Sequence, residues 1–165
     1  MPRSHWFLNS THEFRCALRE MRSPDDAILL PLLLAASGHA AGTFVEIGAN
    51  TGDVGSQTWL LERCFGWRGV LIEGDPETFS QLARTPRNAL TRKVHSAVCE
   101  EGKRSISMLF DRRCTKGKAL CMPRVQCKPL PAIMRDAGFP RVNFLALDVE
   151  GAEELVLETV VAEEA

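Results

Sequence analysis

Glycines and acids occur in one segment at a spacing that could hold a nucleotide-like ligand. Residues 43–53 are Thr-Phe-Val-Glu-Ile-Gly-Ala-Asn-Thr-Gly-Asp, an apolar strand that runs through an acid into a glycine loop with the pattern E-x-G-x-x-x-G. Glycine lets the backbone turn sharply and approach a ligand closely. A strand, a glycine loop and a helix in this order open the ligand crevice of α/β sheets. We predict that helix from about Ser56, with its free N–H groups directed at the ligand.

The glycine spacing distinguishes between ligands. A dinucleotide site needs G-x-G-x-x-G, but Asn50 stands at the second position after Gly48, and no G-x-x-x-x-G-K-[ST] phosphate loop occurs. An acid at the strand end and a wider glycine gap suit a ligand with an amino-acid tail and no phosphate, which describes S-adenosylmethionine. An ordinary strand–turn–helix junction is the structural alternative.

A second acid, Glu73, ends the strand predicted over 69–72 and follows Gly52 by 21 residues. An acid about twenty residues beyond the glycine loop is placed to accept hydrogen bonds from both ribose hydroxyls. A solvated glutamate at a strand end is the alternative.

Several blocks of the chain resemble the FkbM family of methyltransferases. FVEIGANTGDVGSQTWLLERCFGWRGVLIEGDPETFSQL (44–82) is similar to the first half of that domain, and VNFLALDVEGAEELVL (142–157) to its fourth strand and D-V-E-G-A-E motif. VHSAVCEEG (94–102) resembles the third strand, and the resemblance covers roughly 25–161. Many members have S-N-T at 56–58 and E-P/A-N-P at 73–76, where this chain has Ser-Gln-Thr and Glu-Gly-Asp-Pro.

The resemblance implies a Rossmann-like class I methyltransferase sheet, S-adenosyl-L-methionine as the cofactor, and usually methyl transfer to a hydroxyl oxygen of a small molecule or glycan. Glu46 would meet the methionine amino group directly or through water, Glu73 would hold the ribose, and the adenine would pack at the third strand. The predicted cofactor-binding residues are Glu46, Gly48, Ala49, Asn50, Gly52, Glu73, Ser96 and Ala97.

Asp148, at the end of the fourth strand, should lie nearest the transferred methyl, and Glu150 follows two residues later. Since the sulfonium is already a strong electrophile, the enzyme mainly aligns the acceptor and excludes water. Either acid could orient the acceptor or act as the base, so both are candidate catalytic residues. Two acids alone do not indicate a metal site, and none is predicted. Capping of a helix over 152–161 is an alternative for Asp148, and the two roles are compatible.

The chain is short for this fold. We predict four strands, near 43–47, 69–73, 94–98 and 143–147, whereas the family's sheet has seven in the order 3-2-1-4-5-7-6. We therefore expect an incomplete sheet, hence a C-terminally truncated chain: a fragment, an incomplete gene model or a decayed copy. Residues 1–22 form an N-terminal arm and 23–165 a partial FkbM-type domain. A helix begins with Ser23 as its N-cap and Pro24 at its first position, and it runs to about Ser37 with a kink near Pro31.

Residues 103–128 carry eight Lys or Arg against one acid, Asp111. Their alternating flanks predict a β-hairpin insertion at about 104–128 with a solvated basic loop. By resemblance this hairpin lies near the substrate side, so the loop could attract an anionic acceptor. Nucleic-acid binding is not expected, and the net charge of −1 agrees.

No stretch of the sequence reaches the length of a membrane span, and the first residues lack a secretory pattern. We expect a cytoplasmic protein by default. The alternative is a non-catalytic relative of the Star-type proteins of the secretory pathway, which resemble the segment around Leu61–Trp67. The six cysteines are expected to be buried free thiols, with Cys64–Cys99 as the candidate disulfide if the chain is luminal. The oligomeric state is left open.

Overall fold

A computed structural model describes residues 11–21, 24–38, 40–108 and 124–161 of this chain. These ranges contain six helices and seven strands. The helices are α1 (Thr11–Glu20), α2 (Pro24–Ala36), α3 (Trp59–Phe65), α4 (Pro76–Arg84), α5 (Leu130–Asp136) and α6 (Glu153–Val161). The strands are β1 (Thr43–Ile47), β2 (Arg68–Glu73), β3 (Arg92–His95), β4 (Ala97–Val98), β5 (Ser105–Ser107), β6 (Arg124–Lys128) and β7 (Phe144–Leu147).

The main sheet has the strand order β3-β2-β1-β7, and every pair in it is parallel. Its two central strands are almost continuously apolar and buried, as expected of a parallel sheet that is covered on both faces. One hydrophobic cluster around Trp67 and Leu60 covers one face, and a second around Ile133 and Val156 covers the other. The structure confirms the predicted Rossmann-like α/β sheet, with its first four strands in the expected order.

The predicted third strand, 94–98, is wrong as a single strand. The strand is interrupted at Ser96, and the two parts belong to different sheets. β3 pairs with β2 in the main sheet, whereas β4 pairs with β6 in a second sheet of order β4-β6-β5. Strands β5 and β6 are antiparallel, which confirms the flanks of the predicted hairpin. Its basic tip, 109–123, lies outside the described residues.

The helices differ from the sequence predictions at their ends. The predicted N-terminal arm contains the ten-residue helix α1, and α2 contains Pro31 as predicted. The proposed N-cap of α2, Ser23, lies outside the described residues. Helix α5 was not predicted, and α3 begins at Trp59 rather than near Ser56. None of the helices in the described ranges is long and apolar enough to cross a membrane.

The cysteine predictions are wrong for the four cysteines that the structure describes. Cys16 is bonded to Cys64, and Cys99 is bonded to Cys127. The first bond ties α1 to α3, and the second ties the segment after β4 to β6. Sequence reasoning missed both pairs because the partners are 48 and 28 residues apart and no short motif relates them. Cys114 and Cys121 lie outside the described residues.

We predict that replacing Cys16 and Cys64 together by alanine lowers the free energy of unfolding by about 4 kcal/mol, because the bond closes a long loop in the unfolded chain. The matched Cys99→Ala, Cys127→Ala pair should lose slightly less, about 3.5 kcal/mol, because its loop is shorter. Urea unfolding of the oxidised proteins measures both values. Quantitative alkylation of all four thiols in the unreduced, denatured wild type would contradict the disulfides.

Candidate functional site

An open cleft of about 600 Å³ lies at the carboxyl ends of β1, β2 and β7. This is where parallel α/β sheets bind ligands, and the volume lies within the range of small-molecule sites. The cleft brings together seven of the ten predicted site residues: Gly48, Asn50, Glu73, Ser96, Ala97, Asp148 and Glu150.

Gly48 lies where β1 and β7 leave the sheet side by side. Its φ angle is +77°, and a Cβ atom placed on it would lie only 1.9 Å from the carbonyl oxygen of Asp148. The amide of Asp148 donates to the carbonyl of Ile47 at 3.0 Å, which continues the β1–β7 pairing to the rim of the cleft. Glycine is therefore required here by the strand spacing as well as by the turn.

Most backbone N–H groups of the glycine loop donate hydrogen bonds to other residues of the protein. The N–H groups of Gly48 and Ala49 both donate to the carbonyl of Ile72 at 3.0 Å, and that of Gly52 donates to the carbonyl of Ala49 at 2.9 Å. Asn50, with φ +50°, donates its N–H to the Glu73 carboxylate at 2.9 Å. The N–H groups of these four residues are therefore already hydrogen-bonded within the protein.

Glu73 joins two loops at the cleft. Its carboxylate accepts the N–H of Asn50 through one oxygen and the N–H of Asp75, at 2.8 Å, through the other. Burial raises the pKa of Glu73, and these two backbone donors oppose the rise. A carboxylate has about four acceptor positions, so each oxygen keeps capacity for a ribose hydroxyl.

Glu46 is buried beneath the cleft. Its carboxylate accepts hydrogen bonds from the Ser56 hydroxyl (2.8 Å), the Thr58 hydroxyl (2.5 Å) and the N–H of Gln57 (2.9 Å). Burial raises the pKa of Glu46, opposed by these hydrogen bonds and by the charge of Arg87. The carboxylate also borders a small cavity of about 130 Å³, together with Gly48, Ala49, Asn50 and Asp148. Contact with an amino group stays a prediction; the observed contacts close the turn that leads into α3.

Gly52 lines neither cavity. Its φ is +76°, and a Cβ atom there would lie 2.4 Å from Cδ1 of Leu82 on α4. The second glycine of the motif thus serves the packing of the loop against α4.

Ser96 and Ala97 line the far end of the cleft, at the break between β3 and β4. The Ser96 hydroxyl is buried and donates to the carbonyl of Ala97 at 2.8 Å. Its oxygen keeps acceptor capacity, which would suit an adenine amino group better than a ring nitrogen.

Asp148 and Glu150 are exposed at the mouth of the cleft, and Glu150 adopts a left-handed φ of +49°. The proposed helix-capping role of Asp148 is not observed. Glu153, the first residue of α6, instead binds the loop before the helix: its carboxylate accepts the N–H groups of Val149 at 3.3 Å and Gly151 at 2.9 Å. The cleft thus presents exposed carboxylates on the β7 side and the Glu73 carboxylate on the β2 side.

Sequence reasoning missed Arg87 and Glu62, which form a buried ion pair behind the glycine loop. Their side chains are 0% and 1% exposed, and Nε of Arg87 lies 3.0 Å from Oε1 of Glu62. The Glu62 carboxylate also accepts the N–H of Asn88 and the hydroxyl of Thr91. The sequence around Arg87 shows no pattern that predicts burial, since arginine is mostly exposed.

The rest of the Arg87 guanidinium is hydrogen-bonded to the glycine loop and the turn after it. It donates to the carbonyl of Gly52 (2.7 Å) and to the hydroxyls of Ser56 (3.1 Å) and Thr58 (2.9 Å). Those hydroxyls donate onward to Glu46. One guanidinium therefore connects two buried carboxylates and holds residues 52–58 in place.

Fold and site together define the class of protein: a Rossmann-like α/β domain whose ligand cleft lies at the carboxyl ends of its parallel strands. The family model of the methyltransferase FkbM domain matches residues 46–164. The chain therefore belongs to the FkbM methyltransferase family, whose members generally depend on S-adenosylmethionine. No curated protein and no solved structure matches the chain significantly.

The steric requirement at Gly48 has a matched control in Gly55, whose φ of +79° is similar but where a Cβ atom would meet nothing within 4 Å. Gly55→Ala should cost about 1–2 kcal/mol for the left-handed conformation alone. Gly48→Ala should cost roughly 3 kcal/mol more, because the added methyl group meets backbone. Denaturant unfolding compares the two variants, and equal losses would contradict the packing argument.

Arg87→Met should destabilise the chain by about 3–5 kcal/mol, because it leaves Glu62 buried without its cation. Hydrogen exchange of residues 52–58 should accelerate more than that of β1 and β2. The control is Ile133→Ala, which removes a side chain that is 2% exposed on the other face of the sheet and costs a comparable 2–5 kcal/mol, roughly. If the control exposes residues 52–58 equally, Arg87 has no specific effect on the loop.

Proposed function

We propose that this chain is an S-adenosylmethionine-dependent O-methyltransferase acting on a hydroxyl group of a small molecule or glycan. The observation that carries the proposal is the Glu73 carboxylate, which is held at the end of β2 by the N–H groups of Asn50 and Asp75 beside the glycine loop. The same cleft contains the exposed Asp148 on the opposite side.

The residues of the cleft fit the cofactor. A vicinal ribose diol needs paired acceptors, which Glu73 supplies, and the cleft extends to Ser96 and Ala97, where the adenine ring would lie. Two cleft residues that sequence reasoning did not assign, Ile72 and Met108, add apolar surface. S-adenosylmethionine, when bound, supplies an electrophilic methyl group on a sulfonium.

The chain's own contribution is alignment and proton transfer. Asp148 follows directly after β7, whose pairing with β1 fixes its backbone next to Gly48. Its exposed carboxylate is the candidate to accept the proton of an acceptor hydroxyl, and Glu150 is the candidate to orient that acceptor. Such a base contributes to the rate only if the acceptor hydroxyl has to lose its proton during methyl transfer.

A second candidate function, a non-catalytic FkbM relative in the secretory pathway, is favoured by the two disulfides. Disulfides persist in oxidising compartments and are rare in the cytosol. We therefore propose an oxidising compartment for either function. A non-catalytic relative could still bind the cofactor, so a binding measurement distinguishes the two functions only together with an assay of methyl transfer.

Isothermal titration of the oxidised chain with S-adenosylhomocysteine tests the first proposal. We expect micromolar binding that Glu73→Ala weakens by at least about tenfold, since the ribose hydroxyls lose the half-buried carboxylate that accepts their hydrogen bonds. Glu77→Ala removes an exposed glutamate on α4 and should leave Kd within about twofold. Thermal unfolding of each variant ensures that the comparison is between folded proteins.

A folded wild type that does not bind S-adenosylhomocysteine would overturn the methyltransferase proposal. Binding with no methyl transfer to any of a broad panel of sugars and small alcohols would favour the non-catalytic alternative.

A further inference from the structure

A second and larger cavity, of about 850 Å³, lies on the other side of the break at Ser96. It is bounded by the edge strand β3, by residues 103–105, by β6 and by α5. Ser96 borders both this cavity and the cleft at the carboxyl ends of β1, β2 and β7, so the two are adjacent. We call the latter the donor cleft, because it is the proposed site of the methyl donor. We call this second cavity the basic cleft.

The basic cleft concentrates positive charge. Among the described residues, its lining has one acid, Asp136, and five cationic side chains: Arg92, Lys93, Lys103, Arg104 and Lys128. The whole chain carries a net charge of −1, so this excess is local. A concave surface lined by charges of one sign attracts counter-ions more strongly than a flat one.

Three of these cations already have partners. Lys93 donates to the carbonyls of Ala83 and Thr85, Lys103 pairs with Glu100, and Lys128 pairs with Asp136 at 2.5 Å. The guanidinium groups of Arg92 and Arg104 have no hydrogen bond or ion pair within the described part of the chain. Guanidinium binds phosphate in a bidentate manner, so each of these two arginines is a candidate contact for an anion in the basic cleft.

The wall of the basic cleft is partly apolar. Val94, Ala137 and the buried Ile133 contribute to it. Fixed charges beside apolar surface suit an organic molecule that carries an anionic group better than a bare ion, which would leave that surface wet.

Protection of the sheet edge explains only part of this arrangement. β3 is an edge strand, and charged residues on such strands prevent pairing with other chains. That accounts for Arg92. Arg104 precedes β5 in the other sheet, so its presence in the same cleft needs a separate reason.

We propose that the basic cleft binds the phosphate group of a small organic ligand, with Arg92 and Arg104 as its phosphate contacts. The site is separate from the donor cleft and lies beyond the adenine end, away from Asp148. It does not depend on methyl transfer, and binding alone tests it.

The experiment is a titration of the isotope-labelled, oxidised chain followed by amide chemical shifts at low ionic strength. The probes are glucose 6-phosphate, inorganic phosphate and glucose. We expect glucose 6-phosphate to shift the amides of β3, residues 103–105 and α5, and to bind more tightly than inorganic phosphate. Glucose should cause no shift.

The variant pair Arg92→Glu, Arg104→Glu should weaken glucose 6-phosphate binding by at least about tenfold, since two charge-assisted contacts are lost. The control, Arg84→Glu with Arg141→Glu, makes the same charge change at exposed arginines outside the basic cleft. The control should bind within about twofold of the wild type. If the double variant does not fold, Arg92→Gln and Arg104→Gln separately should each weaken binding.

Equal weakening in the control would overturn the proposal, because binding would then follow net charge alone. Shifts scattered over the surface, or inorganic phosphate binding as tightly as glucose 6-phosphate, would also overturn it. The result is independent of S-adenosylhomocysteine binding, so failure here and failure of the methyltransferase proposal are distinguishable.

Discussion

The close approach of β1 and β7 is the constraint on which the site depends. Between Gly48 and the carbonyl oxygen of Asp148 there is no room for a side chain. Because the two strands leave the sheet in contact, the acids that follow β7 are carried to the rim of the same cleft as the glycine loop. The distance between the glycine loop and Asp148 is thus set by backbone packing, which side-chain motion cannot alter.

A buried charge network keeps the loop in that position. Glu62 pairs directly with Arg87, and Glu46 is linked to the same cation through hydroxyls; hydroxyls and backbone N–H groups also donate to both carboxylates. Buried charges are costly unless they are paired and hydrogen-bonded, so such a network persists only as a whole. The network holds the glycine loop through contacts on the side that faces away from the cleft, so the side that faces the cleft can contact a ligand.

The break at Ser96 separates two chemical environments. On one side lies the donor cleft with its carboxylates, and on the other the basic cleft between the two sheets. The break itself follows from the chain leaving β2 for a new partner, β6, and the Cys99–Cys127 bond holds that second sheet together. One local change of pairing thus creates both the Ser96 end of the donor cleft and a wall of the basic cleft.

Local patterns in the sequence determined the first, second and fourth strands of the main sheet, the hairpin flanks and most of the cleft residues. Apolar runs that end in acids and glycines are short-range signals, so Glu73 and Gly48 could be located without a structure. Only the tertiary structure decided the break at Ser96, the burial of Arg87, the packing role of Gly52 and the disulfide pairs. Each of these features depends on contacts between residues that are distant in sequence, and no local pattern in the sequence predicts such contacts.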